Sequence, residues 1–398
     1  MTDDHRSVVR RGRAGGRLPK PASRPVASPI WPSVVYASPD ADALDAQYEG
    51  RADGYTYGRE GHPNWTMLAE KLDWMEGAEG GVVIASGMAA VGAVLQTAVA
   101  AGGHVVAGNQ LYGRTLRMLR DEMPRMGIEV TLADPTDGRA FAAAIRPRTS
   151  LVLVEVVSNP TLRVADMDTI AAACRETSVP LAVDNTFTTP RLYRPFDHGA
   201  DFVIHSVTKM LAGHSDVTLG YAAAHDPELR QRLYDVCVTW GLTPSPFDCW
   251  LAERGLYSFE VRFDRAEANA AALADHLAGL EGVEAVLYPG RADHPDHNRA
   301  VALLQGRGGN MVSFRLKGGR AQVNRFLRAA EHIPFAPTLG DVGTTLSHPA
   351  SSSHRALTPQ GRAALGITEG FIRVSVGIED IDMLKREFAA AVAASLTR

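Results

Sequence analysis

Apolar residues recur every three or four positions in "NWTMLAEKLDWMEGA". Trp65, Leu68, Leu72 and Met75 fall on one face, and the spacing predicts an amphipathic helix. The next stretch, "GVVIASGMAAVGAVLQTAVA", opens as a short apolar run and turns into an alanine-rich helix. The pattern then changes to short apolar runs bounded by turn residues: "HVVAGN", "IEVTLAD", "SLVLVEVV", "PLAVDN", "DFVIHS" and "GYAAA". Helical segments such as "MDTIAAACRET" lie between most of them. Short buried strands alternating with helices predict an α/β fold with a mostly parallel sheet covered on both faces. Ligands of such sheets sit at the carboxyl ends of the strands. Asp184, Asn185, His205, Ser206, Thr208 and Lys209 all follow strand-like runs at that end.

The register shifts again near residue 255. "DRAEANAAALADHLAGL" predicts a long helix, and "NMVSFRLKG" and "GFIRVSVGI" alternate as half-exposed strands do. Together they predict a second, smaller α+β domain. Residues 1–25 are polar, basic and rich in Gly and Pro, and read as a disordered tail. The remaining composition mainly excludes. The chain has 398 residues and a net charge of −4, so no basic field points to nucleic acid. Its three cysteines, Cys174, Cys237 and Cys249, are an odd number at no metal-like spacing. That argues against a disulfide scaffold or a zinc site and fits a reducing, cytoplasmic compartment. No apolar run reaches the roughly 18 residues of a membrane span.

Four local features carry candidate chemistry. "ASGMAAV" places Gly87 and Met88 at a helix start, where free N–H groups attract an anion. "NQLYGRT" carries Tyr112 on a turn; the ring suits either loop packing or stacking on a flat ligand. "LAVDNTF" ends a strand on Asp184, which is either a strand-end cap or the partner of a buried cation such as a protonated pyridine nitrogen. "HSVTKMLAGHSD" puts Lys209 beside Ser206 and Thr208, with His205 and His214 as supporting hydrogen-bonders. A lysine for a Schiff base, hydroxyls for a phosphate and an Asp for a ring nitrogen are the set that pyridoxal 5′-phosphate needs. A non-catalytic binding protein would have no use for the whole set.

In order along the chain, "YTYGREGHP", "ASGMAA", "LYGRT", "SNP", "AVDNTF", "HSVTKMLAGHSD", "LGDVGTTLSHPASSSH" and "IRVSVGIED" resemble the signature segments of the cystathionine γ-synthase, cystathionine γ-lyase and methionine γ-lyase family. The resemblance implies the fold-type-I architecture of pyridoxal-phosphate enzymes: a large domain with a seven-stranded-type sheet, and a smaller C-terminal domain. It implies an arm over 26–60 that contacts a neighbouring subunit, a cofactor domain over 61–255 and a C-terminal domain over 256–398. By position, Lys209 is implied as the cofactor lysine and proton shuttle. Asp184 is implied as the partner of the ring nitrogen, and Tyr112 as the stacking ring and an acid or base near the leaving group. Gly87, Met88, Ser206 and Thr208 are implied to hold the phosphate. Tyr57 and Arg59 would reach that phosphate from a neighbouring subunit, making a dimer the catalytic unit, usually doubled to a tetramer. Asn159, Thr338 and Arg373 would hold the substrate carboxylate, and Glu155 is a further pocket candidate.

The implied reaction, part of Cys/Met metabolism and trans-sulfuration, is γ-elimination or γ-replacement on an L-amino acid. It runs through Cα and Cβ deprotonation and a vinylglycine-type intermediate. A β-lyase or sulfhydrylase on the same scaffold is the alternative. Substrate expectations rest on departures from the family pattern. Gly343 stands where relatives that handle cystathionine have Glu, and Thr338 where they have Ser. Thr56 stands where several carry an acid, and Arg114 where methionine γ-lyases have Cys. Arg117 matches an arginine that binds a distal carboxylate in some relatives. A substrate tail that is neutral or anionic, and not zwitterionic, is expected: methionine or homocysteine, an O-acyl homoserine, or a γ-halo or γ-oxy amino acid.

Overall fold

The strand-like runs form a seven-stranded sheet in the computed structural model, which describes residues 25–355 and 357–397. The predicted disordered tail falls almost wholly outside the described residues. The strands are β1 (Val82–Ile84), β2 (His104–Gly108), β3 (Glu129–Ala133), β4 (Thr149–Glu155), β5 (Leu181–Asp184), β6 (Phe202–His205) and β7 (Gly220–Ala224). Their order across the sheet is β1-β7-β6-β5-β4-β2-β3. Neighbours from β3 to β6 pair in parallel, and β7 is antiparallel to both β6 and β1. β1 therefore runs in the same direction as β6. Its carboxyl end, with the helix start that follows, joins the edge where β4, β5 and β6 also finish.

These strands have little alternation because helices cover both faces; β2, β6 and β7 are buried at every position. The helix Pro63–Glu76 presents Trp65, Leu68 and Leu72 to the core, as its spacing predicted. The three cysteines lie buried and free on helices of this region. Burial pushes the thiols of Cys174 and Cys237 up to about 12.

A second sheet contains β8 (Val283–Leu287), β9 (Met311–Leu316), β10 (Thr345–Ser347) and β11 (Phe371–Ser375). Its order is β10-β11-β9-β8, antiparallel throughout. Phe314, Phe326 and Phe388 pack together behind it, with ring centroids 5.5–6.3 Å apart. The half-exposed reading of "NMVSFRLKG" and "GFIRVSVGI" is corrected here. β11 is buried throughout, and β9 at every residue but Arg315. The polar residues that alternate in them, Ser313, Arg373 and Ser375, face the large sheet's side of the molecule instead of water. Ser313 Oγ donates to Pro160 O at 2.7 Å, for example. The two hydrophobic cores meet inside the helix Phe259–Ala278. Phe259 and Phe263 belong to the first core, and Leu273 and Leu277 to the second. Among the described residues, no helix is long and apolar enough to cross a membrane.

Candidate active site

A cleft of about 820 Å³ opens at the carboxyl edge of the large sheet. Its walls include Gly87, Met88, Tyr112, Arg114, Arg117, Asn159, Asp184, Ser206, Thr208, Lys209, Thr338 and Arg373, residues singled out from the sequence. Thr56, Tyr57, Arg59 and Gly343 do not line it. Tyr57 is 40% exposed, and the Arg59 guanidinium lies 5.3 Å from its ring. Thr56 Oγ1 donates to Glu60 at 3.1 Å. Gly343 N donates to Asp341 Oδ1 at 2.8 Å, in a turn outside the cleft.

The floor is set by strand register. Glu155 and Asp184 end β4 and β5 opposite one another. Asp184 Oδ1 accepts from Thr186 N at 3.1 Å and from Thr186 Oγ1 at 2.6 Å. Burial raises the Asp184 carboxyl, and the Thr186 bonds and the nearby His205 oppose that shift. A carboxylate in such a place is best satisfied by a cation in the cleft. Glu155 is 7% exposed, and burial followed by the Asp184 charge holds its carboxyl well above the ordinary value. Its Oε1 accepts from Tyr112 N at 2.7 Å, and it also takes a backbone bond from Asn159. Glu155 thus ties together the segments that carry Tyr112 and Asn159. An acid at the end of an otherwise apolar strand was the visible signal; its partner 43 positions away was not.

Behind the floor, His205 turns away from the cleft and pairs with Glu76, both 1% exposed. Asn185 Nδ2 donates to the same Glu76 oxygen at 2.8 Å. Glu76 lies 129 positions before His205, and nothing local in the sequence announces it.

The anion-binding end is built by the helix Gly87–Ala98. Its N-cap Ser86 Oγ accepts from Ala89 N, leaving the Gly87 and Met88 amides free of helical partners. A Cβ at Gly87 would lie 2.6 Å from Ser206 Cβ and 2.7 Å from Ser206 Oγ, so the helix start and Ser206 make one tight cradle. Thr208 differs. Its hydroxyl donates to Leu219 O at 3.1 Å and accepts from Leu219 N at 3.0 Å, so its one proton is committed to the backbone.

Lys209 sits between the floor and the second sheet, with Nζ 3.4 Å from Thr338 Oγ1. Burial, with Arg373 adding to it, lowers its ammonium. Its turn is gripped from both sides of the molecule. Arg262 donates to Met210 O at 3.0 Å and to Leu211 O at 3.1 Å. Gly340 has φ +83°, and a Cβ there would lie 2.5 Å from Met210 N. Val342 N donates to Gly213 O at 2.8 Å. Arg373 is 5% exposed; it donates to Asn159 Oδ1 at 2.7 Å and to Thr338 O at 2.8 Å. Its Nε is buried with no partner among the described residues, and burial lowers the guanidinium to about 10.

The residues present fit pyridoxal 5′-phosphate. The cradle of Gly87, Met88 and Ser206 suits the phosphate, Tyr112 offers a ring face, and Asp184 awaits a protonated nitrogen. Lys209 offers an amine in the same cleft. The fold agrees: the cystathionine γ-synthase of Xanthomonas oryzae pv. oryzae, solved in complex with cystathionine, superposes with a TM-score of 0.88 at 36% identity, covering 93% of each chain. The chain is a pyridoxal-phosphate-dependent enzyme of fold type I.

The profile of the Cys/Met metabolism PLP-dependent enzymes matches residues 13–393, and the chain belongs to that family. It is 37% identical over 368 residues to the L-methionine γ-lyase of Pseudomonas putida, covering 92% of each chain. It is 39% identical over 338 residues to the cystathionine β-lyase MetC of Bacillus subtilis, covering 85% of this chain and 86% of that one. It is also 38% identical over 354 residues to the O-succinylhomoserine sulfhydrylase of Pseudomonas aeruginosa, covering 89% of this chain and 87% of that one.

Proposed function

We propose that this enzyme carries out γ-elimination or γ-replacement on an L-amino acid with a leaving group at Cγ. The observation that carries the reading is the placement of Lys209. Its amine lies 3.4 Å from the Thr338 hydroxyl, and both line the cleft with a buried Arg373 that has no carboxylate partner among the described residues. Arg373, steadied by Asn159 and Thr338, receives the substrate α-carboxylate; charge-assisted bonds of this kind are short and orienting. That anchor sets Cα and Cβ near Lys209 Nζ. Burial and Arg373 both disfavour the ammonium, which favours the amine as the group that takes a proton from Cα and then from Cβ. Bound pyridoxal 5′-phosphate supplies the aldehyde that captures the substrate amine and the ring that draws electron density from Cα. Asp184 would keep the ring nitrogen protonated, and Tyr112 would offer the ring a stacking face.

The proposed unit is a homodimer, doubled to a tetramer, in which Tyr57 and Arg59 complete the phosphate site of a neighbouring subunit. Their position outside the cleft of their own chain supports this, as do the exposed Val34 and Val35 of the 26–60 arm, at 54% and 67%. The helix Ala41–Tyr48 buries no residue against its own chain, which also fits an arm that packs on a partner. Three free thiols suit a cytoplasmic setting.

A β-lyase reading is kept because of the Bacillus subtilis relative. Product analysis in deuterated water separates the two. γ-Chemistry gives a four-carbon 2-oxo acid carrying deuterium at the former Cβ. A three-carbon oxo acid in place of the four-carbon one would overturn the proposal.

A further inference from the structure

Behind the floor of the cleft lies a second polar layer that the reaction described above does not use. Glu76 is the last residue of the helix Pro63–Glu76 and is 1% exposed. Its Oε1 accepts two hydrogen bonds, one from His205 Nε2 and one, at 2.8 Å, from Asn185 Nδ2. His205 and Asn185 are buried with it, and none of the three lines the cleft. Nothing in this setting favours a carboxylate for its own sake. The carboxyl end of a helix presents partial negative charge, and burial strips an ion of its hydration. The other Glu76 oxygen and His205 Nδ1 are buried with no partner among the described residues. Apolar side chains of like volume would fill the space without leaving polar atoms unsatisfied.

The two donors flank the candidate cofactor contacts. Asn185 directly follows Asp184, and His205 directly precedes Ser206. On the cleft side Thr186 joins the same two segments: its hydroxyl accepts from Ser206 N at 2.8 Å and donates to Asp184 Oδ1 at 2.6 Å. Glu76 joins them from behind. Of the Glu76–His205 pair, it is His205 that acts on Asp184, opposing the rise that burial imposes on that carboxyl. Tyr221, with its ring centroid 6.2 Å from that of His205, gives its hydroxyl proton to Asp73 Oδ1 at 2.6 Å. Glu76 is thus left as the counter-ion of the imidazole.

We propose that Glu76 and His205 are positioning residues for the cofactor: the Glu76 carboxylate pairs with the His205 imidazolium, and that cation keeps Asp184 ionised toward the ring nitrogen. This rests on the reading of Asp184 as the partner of that nitrogen. A cation beside a buried carboxyl favours its charged form, and only the charged form makes the stronger, charge-assisted bond to a protonated ring nitrogen.

The test compares pyridoxal 5′-phosphate with 1-deazapyridoxal 5′-phosphate, which has C–H where the cofactor has its ring nitrogen. Each is titrated into the full-length chain freed of cofactor, and intrinsic fluorescence reports binding. The wild type should prefer the natural cofactor, and Asp184→Asn should abolish most of that preference. Glu76→Gln keeps an acceptor for Asn185 and removes the charge; in it the preference should fall about tenfold, the scale of a tenfold change in the ionisation of Asp184. His205→Gln should lower it at least as far, and the double variant no further, because the two act as a unit. Loosened packing alone would weaken both ligands alike and leave the preference intact. Thermal unfolding checks that each variant is folded, and should Glu76→Gln not fold, the same criterion applies to His205→Gln. A preference unchanged in these variants but lost in Asp184→Asn overturns the inference and leaves the Asp184 reading standing. A preference retained in Asp184→Asn, or absent from the wild type, overturns both.

Discussion

Gly87 and Gly92 lie on one helix and make opposite predictions for alanine. At Gly87 the new Cβ would sit 2.6 Å from Ser206 Cβ, 2.7 Å from Ser206 Oγ and 3.0 Å from Ser206 Cα. Carbon atoms pack at about 3.5–4.0 Å, so the helix start and the Ser206 turn must part by about 1 Å. A hydrogen bond stretched by that much is lost. The amides of Gly87 and Met88 and the Ser206 hydroxyl are the donors at stake. Each bond to a charged group is worth about 1.5–3 kcal/mol, so losing one costs about that much. That weakens pyridoxal 5′-phosphate binding by roughly 10- to 100-fold, and more if a second bond goes with it. At Gly92 the new Cβ meets only Met118 Cε, at 3.9 Å. There alanine should leave cofactor affinity unchanged and stabilise the helix by about 0.5–1 kcal/mol. The assay is titration of apoprotein with cofactor, followed by absorbance and intrinsic fluorescence, with thermal unfolding in parallel. If Gly87→Ala binds cofactor within threefold of wild type, the cradle is not what holds the phosphate.

Two further predictions concern titration and assembly. Glu155 has a carboxyl raised by burial and by Asp184, so its contribution to stability is full below the unfolded value and is lost as pH rises through the folded value. Glu155→Gln keeps the acceptor for Tyr112 N and removes the charge. Its apoprotein should gain thermal stability relative to wild type as pH rises from about 4 to 8, by calorimetry; equal pH profiles would refute the argument. Arg59→Ala and Lys209→Ala are each expected to be inactive alone, whereas refolding the two together should restore activity, because mixed pairs hold one intact site; mixtures as inactive as either parent would place Arg59 in its own subunit's site.

The large sheet was legible because its signals are local. An apolar run, a turn residue and a strand-end carboxylate are contiguous, and the carboxyl ends of β4, β5 and β6 gather at one edge whatever the loops do. On that logic Asp184, Ser206 and Lys209 were placed at one edge, and the structure brings them to one cleft. Partnerships across the chain were not legible. Arg373 meets Asn159 over 214 positions, and Glu155 meets Tyr112 over 43. The resemblance to known enzymes named Arg373 and Asn159, but not the bond between them. β9 and β11 show the other limit: alternation reports polarity, and the polar face here is turned to a second layer of protein. Thr208 shows a third, since sequence supplies a hydroxyl without telling that Leu219 already holds its proton.

The double grip on the lysine turn bears on how this scaffold can be re-engineered. Gly340 rests its backbone on the Lys209–Met210 peptide, and Val342 bonds to Gly213, so residues 340–342 are part of the mounting of Lys209, the proposed cofactor lysine. A segment exchange there with a homologue alters the nucleophile's seat together with any selectivity it carries. The strip Ser351–Arg355 also reaches the cleft, and among the described residues no hydrogen bond ties it to that mounting. A library meant to change what the enzyme accepts, while keeping its reactive amine in place, belongs in the second segment and should hold the first constant.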